Sequence, residues 1–135
     1  MFKLIKILNS GVNVPEPIRL PKAQDLKIKI GSALLFSGGT ITACPSDTTP
    51  THISMEDAGT DKNTVLCHDV TPNMLFETYI YTYLQGTAVG DKVELIRDED
   101  GMAVCVDTYA TDTGVATVVD LMGSRVEGDH IIVKF

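Results

Sequence analysis

The chain is 135 residues long, the usual size of a single domain, and 44% of its residues are hydrophobic, which excludes a disordered chain. No stretch approaches the roughly 20 consecutive apolar residues of a transmembrane helix. The net charge of -7 disfavours nucleic-acid binding, because phosphates are bound by clusters of Lys and Arg. We therefore expect one folded domain that binds neither nucleic acid nor a membrane.

Charge is distributed unevenly along the chain. Residues 1–30 contain six basic and two acidic side chains, whereas residues 31–135 contain five basic and sixteen acidic ones. A basic end and an acidic body can attract each other between subunits, because electrostatic complementarity guides docking. The alternative is that the asymmetry serves only solubility.

The N-terminal segment is predicted to be an extended arm. Pro15, Pro17 and Pro21 each fix their own φ and favour extended geometry in the preceding residue. We therefore divide the chain into an arm over residues 1–25 and a single β domain over residues 26–135. The candidate partner-binding side chains of the arm are apolar or basic: Phe2, Lys3, Leu4, Ile5, Lys6, Ile7, Arg19 and Lys22. The alternative is that FKLIKIL is the first strand of the domain's own sheet.

The opening MFKLIKIL also has the basic character of an export signal. Lys3 and Lys6 interrupt its apolar stretch, however, and no cleavage-site pattern follows. The odd number of cysteines likewise argues against a disulfide framework. We expect a product that is not exported.

From Leu26 onward, short apolar runs alternate with Gly, Asp, Asn, Thr and Pro, a pattern typical of an all-β domain, either a small barrel or a sandwich. A hairpin is expected to turn at Gly38-Gly39. The rival interpretation of residues 74–84 as a helix is disfavoured by the successive Thr, Tyr and Ile residues. The predicted strands cover residues 26–30, 33–37, 40–44, 52–55, 63–70, 75–84, 92–97, 102–106, 115–121 and 130–135.

No motif for catalysis or metal binding stands out. Cys67 and His68 are adjacent, so on a strand they face opposite ways and cannot act as nucleophile and base; His52 or His130 would have to approach from elsewhere. Cys44, Cys67 and Cys105 lack the close pairs of a structural zinc site and are predicted to be buried thiols. The acidic tip at residues 98–101 lacks the rest of a calcium loop. We expect no enzyme activity, cofactor or metal.

Aromatic side chains cluster in one predicted strand. Tyr79, Tyr81 and Tyr83 share a face under period-two alternation, with Phe76 nearby. Such a row can stack on sugars or bases, or it can form a half-buried sheet face or a subunit contact. No basic residue interleaves with the tyrosines, which favours the sheet face or contact.

The layout resembles the small head-decoration or capsid-stabilising proteins of tailed bacteriophages. The resemblance lies in the Pro-containing N-terminal segment and in IGSAL (30–34), TPTHI (49–53), VGDKV (89–93), GVATVV (114–119) and GDHIIVKF (128–135). It implies a barrel-like β fold, self-association often as trimers, binding to the major capsid protein on the outer lattice, and no catalysis. The protein would be made in the bacterial cytoplasm and end in the virion. The alternatives are a free-standing β-barrel module that binds a small ligand or glycan, and a Cys-dependent enzyme with a low-pKa thiol.

Overall fold

The computed structural model describes residues 1–8, 15–80, 87–97, 103–107, 114–122 and 128–135, with the backbone alone for residues 97 and 103–107. The all-β prediction is confirmed. None of these ranges contains a helix, and so none contains a helix long and apolar enough to cross a membrane. The strands are β1 (Lys3–Ile7), β2 (Ile18–Pro21), β3 (Ala33–Ser37), β4 (Thr40–Ala43), β5 (His52–Ser54), β6 (Thr64–Asp69), β7 (Met74–Tyr79), β8 (Lys92–Arg97), β9 (Ala103–Asp107), β10 (Ala116–Leu121) and β11 (His130–Lys134).

The strands form two antiparallel sheets that share β8. The hydrogen-bonded order is β1-β7-β11-β10-β8-β9-β3-β5-β6-β2, with β4 beside β3. The first sheet runs from β1 to the start of β8, where Lys92 and Val93 pair with β10. The second begins at the rest of β8, which pairs with β9. Within the described residues β1 and β2, the two ends of the path, do not pair with each other, so the fold is sandwich-like and not a closed barrel.

Alternating burial explains why these segments form strands. In β10, Ala116 and Val118 are buried, and in β11, Ile131 and Val133 are buried, while the residues between them are more exposed. Such period-two patterns place one face of the first sheet on the core. The core beneath the first sheet consists mainly of Phe2, Met74, Phe76, Ile80, Val93, Leu95, Ala116, Val118, Ile131 and Val133.

A second, smaller core lies beneath the second sheet. Its fully or nearly fully buried side chains are Ile28, Leu34, Ile41, Ala58, Val65 and Cys67. The β3–β4 hairpin that frames it turns at Gly38 and Gly39, whose φ angles are 60° and 82°. Two successive positive φ angles match the right-handed strand twist, which confirms the predicted hairpin.

The predicted strand at residues 26–30 is wrong. Only Ile28 forms a bridge, to Ala58, and no ladder extends from it. Positive φ angles at Asp25 (62°) and Gly31 (78°) bend the chain on both sides. Ile28 is nonetheless buried, as its apolar character predicts.

The predicted arm over residues 1–25 is also wrong for its described parts, residues 1–8 and 15–25. β1 pairs with β7, and β2 pairs with β6, so both belong to the domain. Phe2 is only 2% exposed, and burial of such a side chain stabilises the fold by roughly 1.5–3 kcal/mol. The alternative interpretation of FKLIKIL as a strand of the chain's own sheet is correct. Pro21 ends β2, where the missing N–H suits an edge strand.

Candidate functional site

β1 is the last strand of the first sheet and leaves one edge without a strand partner among the described residues. Its register with β7 shifts between Leu4 and Lys6, so Ile5 is a bulged residue with no partner opposite. An extra residue resets the alternation of the side chains. As a result Leu4 and Ile7 are both partly buried, while Ile5 and Lys6 are both exposed.

The exposed part of this strand is basic. Lys3, Ile5 and Lys6 are exposed, and we call these three side chains the β1 edge surface. Neither lysine has an ion-pair partner among the described residues. Glu77, which lies opposite Lys3 in the ladder, is instead bonded to Nδ1 of His130. Both ammonium groups are therefore available to an acidic partner.

The other basic residues of the predicted partner-binding set serve the fold instead. Arg19 donates through Nη1 to Oε1 of Glu56 at 2.6 Å, and that oxygen also accepts the N–H of Leu66 at 3.1 Å. The hydrogen bond from Arg19 lowers the pKa of the Glu56 carboxyl. Lys22 is 6% exposed, and its Nζ donates to the carbonyl oxygen of Ala23. The structure thus brings Lys3, Ile5 and Lys6 together and places Phe2, Arg19 and Lys22 in internal contacts.

A cavity of about 460 Å³ lies between the two sheets beside the start of β1. Phe76 of the first sheet lines one side, and Ile53 and His68 of the second sheet line the other. The remaining lining residues are Met1, Phe2, Lys3, Leu4, Ile30, Ser54 and Met55. Sequence reasoning missed this cavity because it depends on the long-range pairing of β1, for which the sequence offers no register signal.

The two cysteines whose side chains are described are buried, as predicted. Cys44 and Cys67 are both fully buried, and neither forms a disulfide within the part of the chain that the structure describes. Burial raises the pKa of Cys67 to about 12, which keeps the thiol protonated and unreactive near neutral pH. Cys67 packs in the second core while His68 lines the cavity, so the two face opposite ways. The side chain of Cys105 lies outside the described residues.

A chain of polar contacts that the sequence analysis did not foresee links Thr51, His52 and Asp69. Nδ1 of His52 is 2.8 Å from the Thr51 hydroxyl, and its Nε2 is 2.8 Å from Asp69. Burial lowers the pKa of His52 despite the attraction of Asp69. In a Thr-His-Asp triad the Thr51 hydroxyl would act as the nucleophile. This hydroxyl already accepts the N–H of Phe36 at 2.7 Å. These contacts hold β3, β5 and β6 together.

The predicted aromatic row is only partly described. Phe76 is fully buried and Tyr79 is partly buried against the second core, so neither is an open stacking surface. Tyr81 and Tyr83 lie outside the described residues, as does the acidic tip at residues 98–101.

Neither the search for a metal site nor the comparisons with known proteins point to a function. In the described part of the chain, no three His, Cys, Asp or Glu side chains lie close enough to hold a metal ion. No protein-family model and no curated protein matches the sequence.

Proposed function

We propose that the protein is a non-enzymatic structural protein of a phage or prophage virion, which decorates or stabilises the head by associating with itself and binding the capsid lattice. The observation that carries the proposal is the β1 edge surface. Among the described residues it is a strand edge without a partner strand, with two lysines that have no ion-pair partner, on a chain of net charge -7. The all-β fold and the resemblance of the sequence pattern to head-decoration proteins support it, although the fold is not the closed barrel that the resemblance implies.

The lysines determine which partners the edge accepts. An unpaired edge can add a strand from any chain, and Lys side chains and bulges are common devices against indiscriminate pairing. Two copies of β1 placed edge to edge would bring Lys3 and Lys6 of both chains together, and this repulsion opposes a symmetric dimer. An acidic surface is instead attracted to this edge.

The acidic side chains needed for self-association are present on the same chain. Residues 31–135 carry sixteen acidic and only five basic side chains. Contact between the β1 edge surface of one copy and the acidic body of the next is head-to-tail, and such contacts close into rings when the rotation between copies permits. A trimer on the capsid surface is one such ring.

The proposal is tested by reversing the charge of the edge. The double variant Lys3→Glu and Lys6→Glu should be monomeric in sedimentation velocity and should not co-sediment with the phage capsids that the unaltered protein binds. A matched control reverses Lys27 and Lys92, which are also exposed but lie outside β1. The control should assemble and bind as the unaltered protein does.

Salt provides a second readout. The screening length falls from about 10 Å at 0.1 M ionic strength to about 3 Å at 1 M, so association of the unaltered protein should weaken over this range. The proposal would be contradicted if the unaltered protein stays monomeric at low salt and does not bind capsids.

A further inference from the structure

We propose that the cavity beside β1 binds a small amphipathic anion, a molecule with an aromatic or alkyl body and one acidic group. The cavity shares Lys3 with the β1 edge surface, but its occupant is a small molecule and not the capsid, so this binding goes beyond the structural role proposed above.

The body of the ligand is specified by the apolar lining. Seven of the ten side chains around the cavity are apolar, and they come from both sheets and from the segment between β2 and β3. The volume of about 460 Å³ lies within the range of small-molecule sites, roughly 300–1,000 Å³. Met1 and Ile30 are about half exposed, at 50% and 48%, and form the mouth. An apolar body entering there would remove these two side chains from water.

The acidic group is specified by the polar lining. The Ser54 hydroxyl is already engaged, since it donates to the carbonyl oxygen of Lys29 and accepts the N–H of Ser32. His68 is buried, and its Nδ1 has no hydrogen-bond partner in the described part of the chain. Lys3 lines the cavity and has no carboxylate partner among the described residues. Both unsatisfied side chains can donate a hydrogen bond.

Charge complementarity favours an anion over the other classes of small ligand. None of the described lining residues is acidic, so a cation would lose its hydration without a compensating carboxylate. A sugar would need several hydrogen bonds, and among the polar side chains of the described lining only His68 and Lys3 offer unused donors. An anion can bond to the imidazole and lie near the ammonium group, and hydrogen bonds to a charged group are stronger than neutral ones.

A matched pair of fluorescent probes tests both halves of the proposal. 1-Anilinonaphthalene-8-sulfonate has an aromatic body and a sulfonate, and N-phenyl-1-naphthylamine has the same rings without the charge. The unaltered protein should bind the anionic probe at one saturable site. Lys3→Gln should weaken this binding about threefold and His68→Phe about tenfold. The neutral probe should be insensitive to Lys3→Gln.

Three further variants locate the site. Met55→Trp fills the cavity and should abolish binding; if that variant does not fold, Ile30→Trp fills the mouth instead. Lys6→Gln changes the neighbouring lysine, which does not line the cavity, and should leave binding unchanged. Val89→Ser removes an apolar side chain that is 63% exposed elsewhere, and should also have no effect.

The stability of the His68 variant separates a binding role from a structural one. His68→Phe removes Nδ1, which is buried and has no hydrogen-bond partner among the described residues, and it keeps an aromatic ring. Its melting temperature should therefore be no lower than that of the unaltered protein. The absence of saturable binding, binding that survives the filling variants, or binding that responds to neither Lys3→Gln nor His68→Phe would overturn the proposal.

Discussion

Cys67 and His68 are neighbours in β6, yet their side chains enter different parts of the molecule. Cys67 is fully buried in the second core, and His68 lines the cavity between the sheets. Strand alternation predicted this opposition from the sequence alone. Alternation does not say what lies beyond each face, because the surroundings of His68, whose Nδ1 has no hydrogen-bond partner among the described residues, depend on the long-range placement of β1 and β7.

The buried thiol of Cys67 should make stability depend on pH in the alkaline range. Its pKa is raised from 9.0 to about 12, chiefly by burial, so the unfolded chain loses the proton at lower pH than the folded chain does. Stability is unaffected by this group below about pH 9 and falls as pH rises from 9 towards 12. Urea unfolding at pH 8 and pH 10 measures the loss, and Cys67→Ala should show a smaller loss. An equal loss in both proteins would contradict the argument.

Among the elements, the prediction was most accurate where β-branched runs are closed by turn residues. The β3–β4 hairpin and the strands β8, β10 and β11 lie within a residue or two of their predicted positions. The segment LKIKI has the same alternation, but within the described ranges only its Ile28 is paired, through an isolated bridge to Ala58, and the chain turns on both sides at Asp25 and Gly31. Alternation of apolar and polar residues indicates which face of a segment is buried. The segment forms a strand only if another strand also pairs along its edge.

Gly39 and Gly114 are each required for a different reason, and substitutions can distinguish the two reasons. Gly39 has a φ of 82° and open space around its missing Cβ, so Gly39→Ala should cost about 1–2 kcal/mol through the backbone alone. A Cβ at Gly114 would lie 2.4 Å from the backbone nitrogen of Val93, so Gly114→Ala should cost about 1–3 kcal/mol through steric overlap.

Asparagine distinguishes the two causes. It tolerates positive φ better than alanine does, so Gly39→Asn should recover part of the stability lost in Gly39→Ala. Gly114→Asn should be at least as harmful as Gly114→Ala, because its side chain is larger. Thermal unfolding of the four variants gives the comparison, and rescue by asparagine at Gly114 would contradict the steric argument.

In the whole molecule, the main error of sequence reasoning concerned long-range pairing. The basic and apolar character of Phe2 to Ile7 was recognised, but pairing of β1 with β7 joins segments about 70 residues apart, which no local pattern encodes. The separation of Lys3 and Lys6 from Arg19 and Lys22 follows from the same pairing. The types of residue in the candidate site were therefore predictable from the sequence. Which of them lie together on one surface was not.

Removal of the Phe2 ring should destabilise the whole domain. The ring is 2% exposed and lies edge-on to Phe135, with ring centres 5.4 Å apart. Phe2→Ala should therefore lower the free energy of unfolding by about 3–5 kcal/mol. Ile5→Ala, in the same strand but 40% exposed, is the control and should cost less than about 1 kcal/mol. Equal and small effects in chemical denaturation would favour a detached N-terminal arm.

The contact between Phe2 and Phe135 also orders the events of folding during synthesis. β7 lies between β1, which precedes it by about 70 residues, and β11, which follows it by about 50, so the first sheet cannot be completed until residue 135 has left the ribosome. β2 to β6, by contrast, all lie within residues 18–69 and can pair as soon as they emerge. The nascent chain should thus carry β2 to β6 already paired before β8 and β9 complete the second sheet, and a ribosome stalled before β11 would display the apolar face of β7 to the chaperones of the cell.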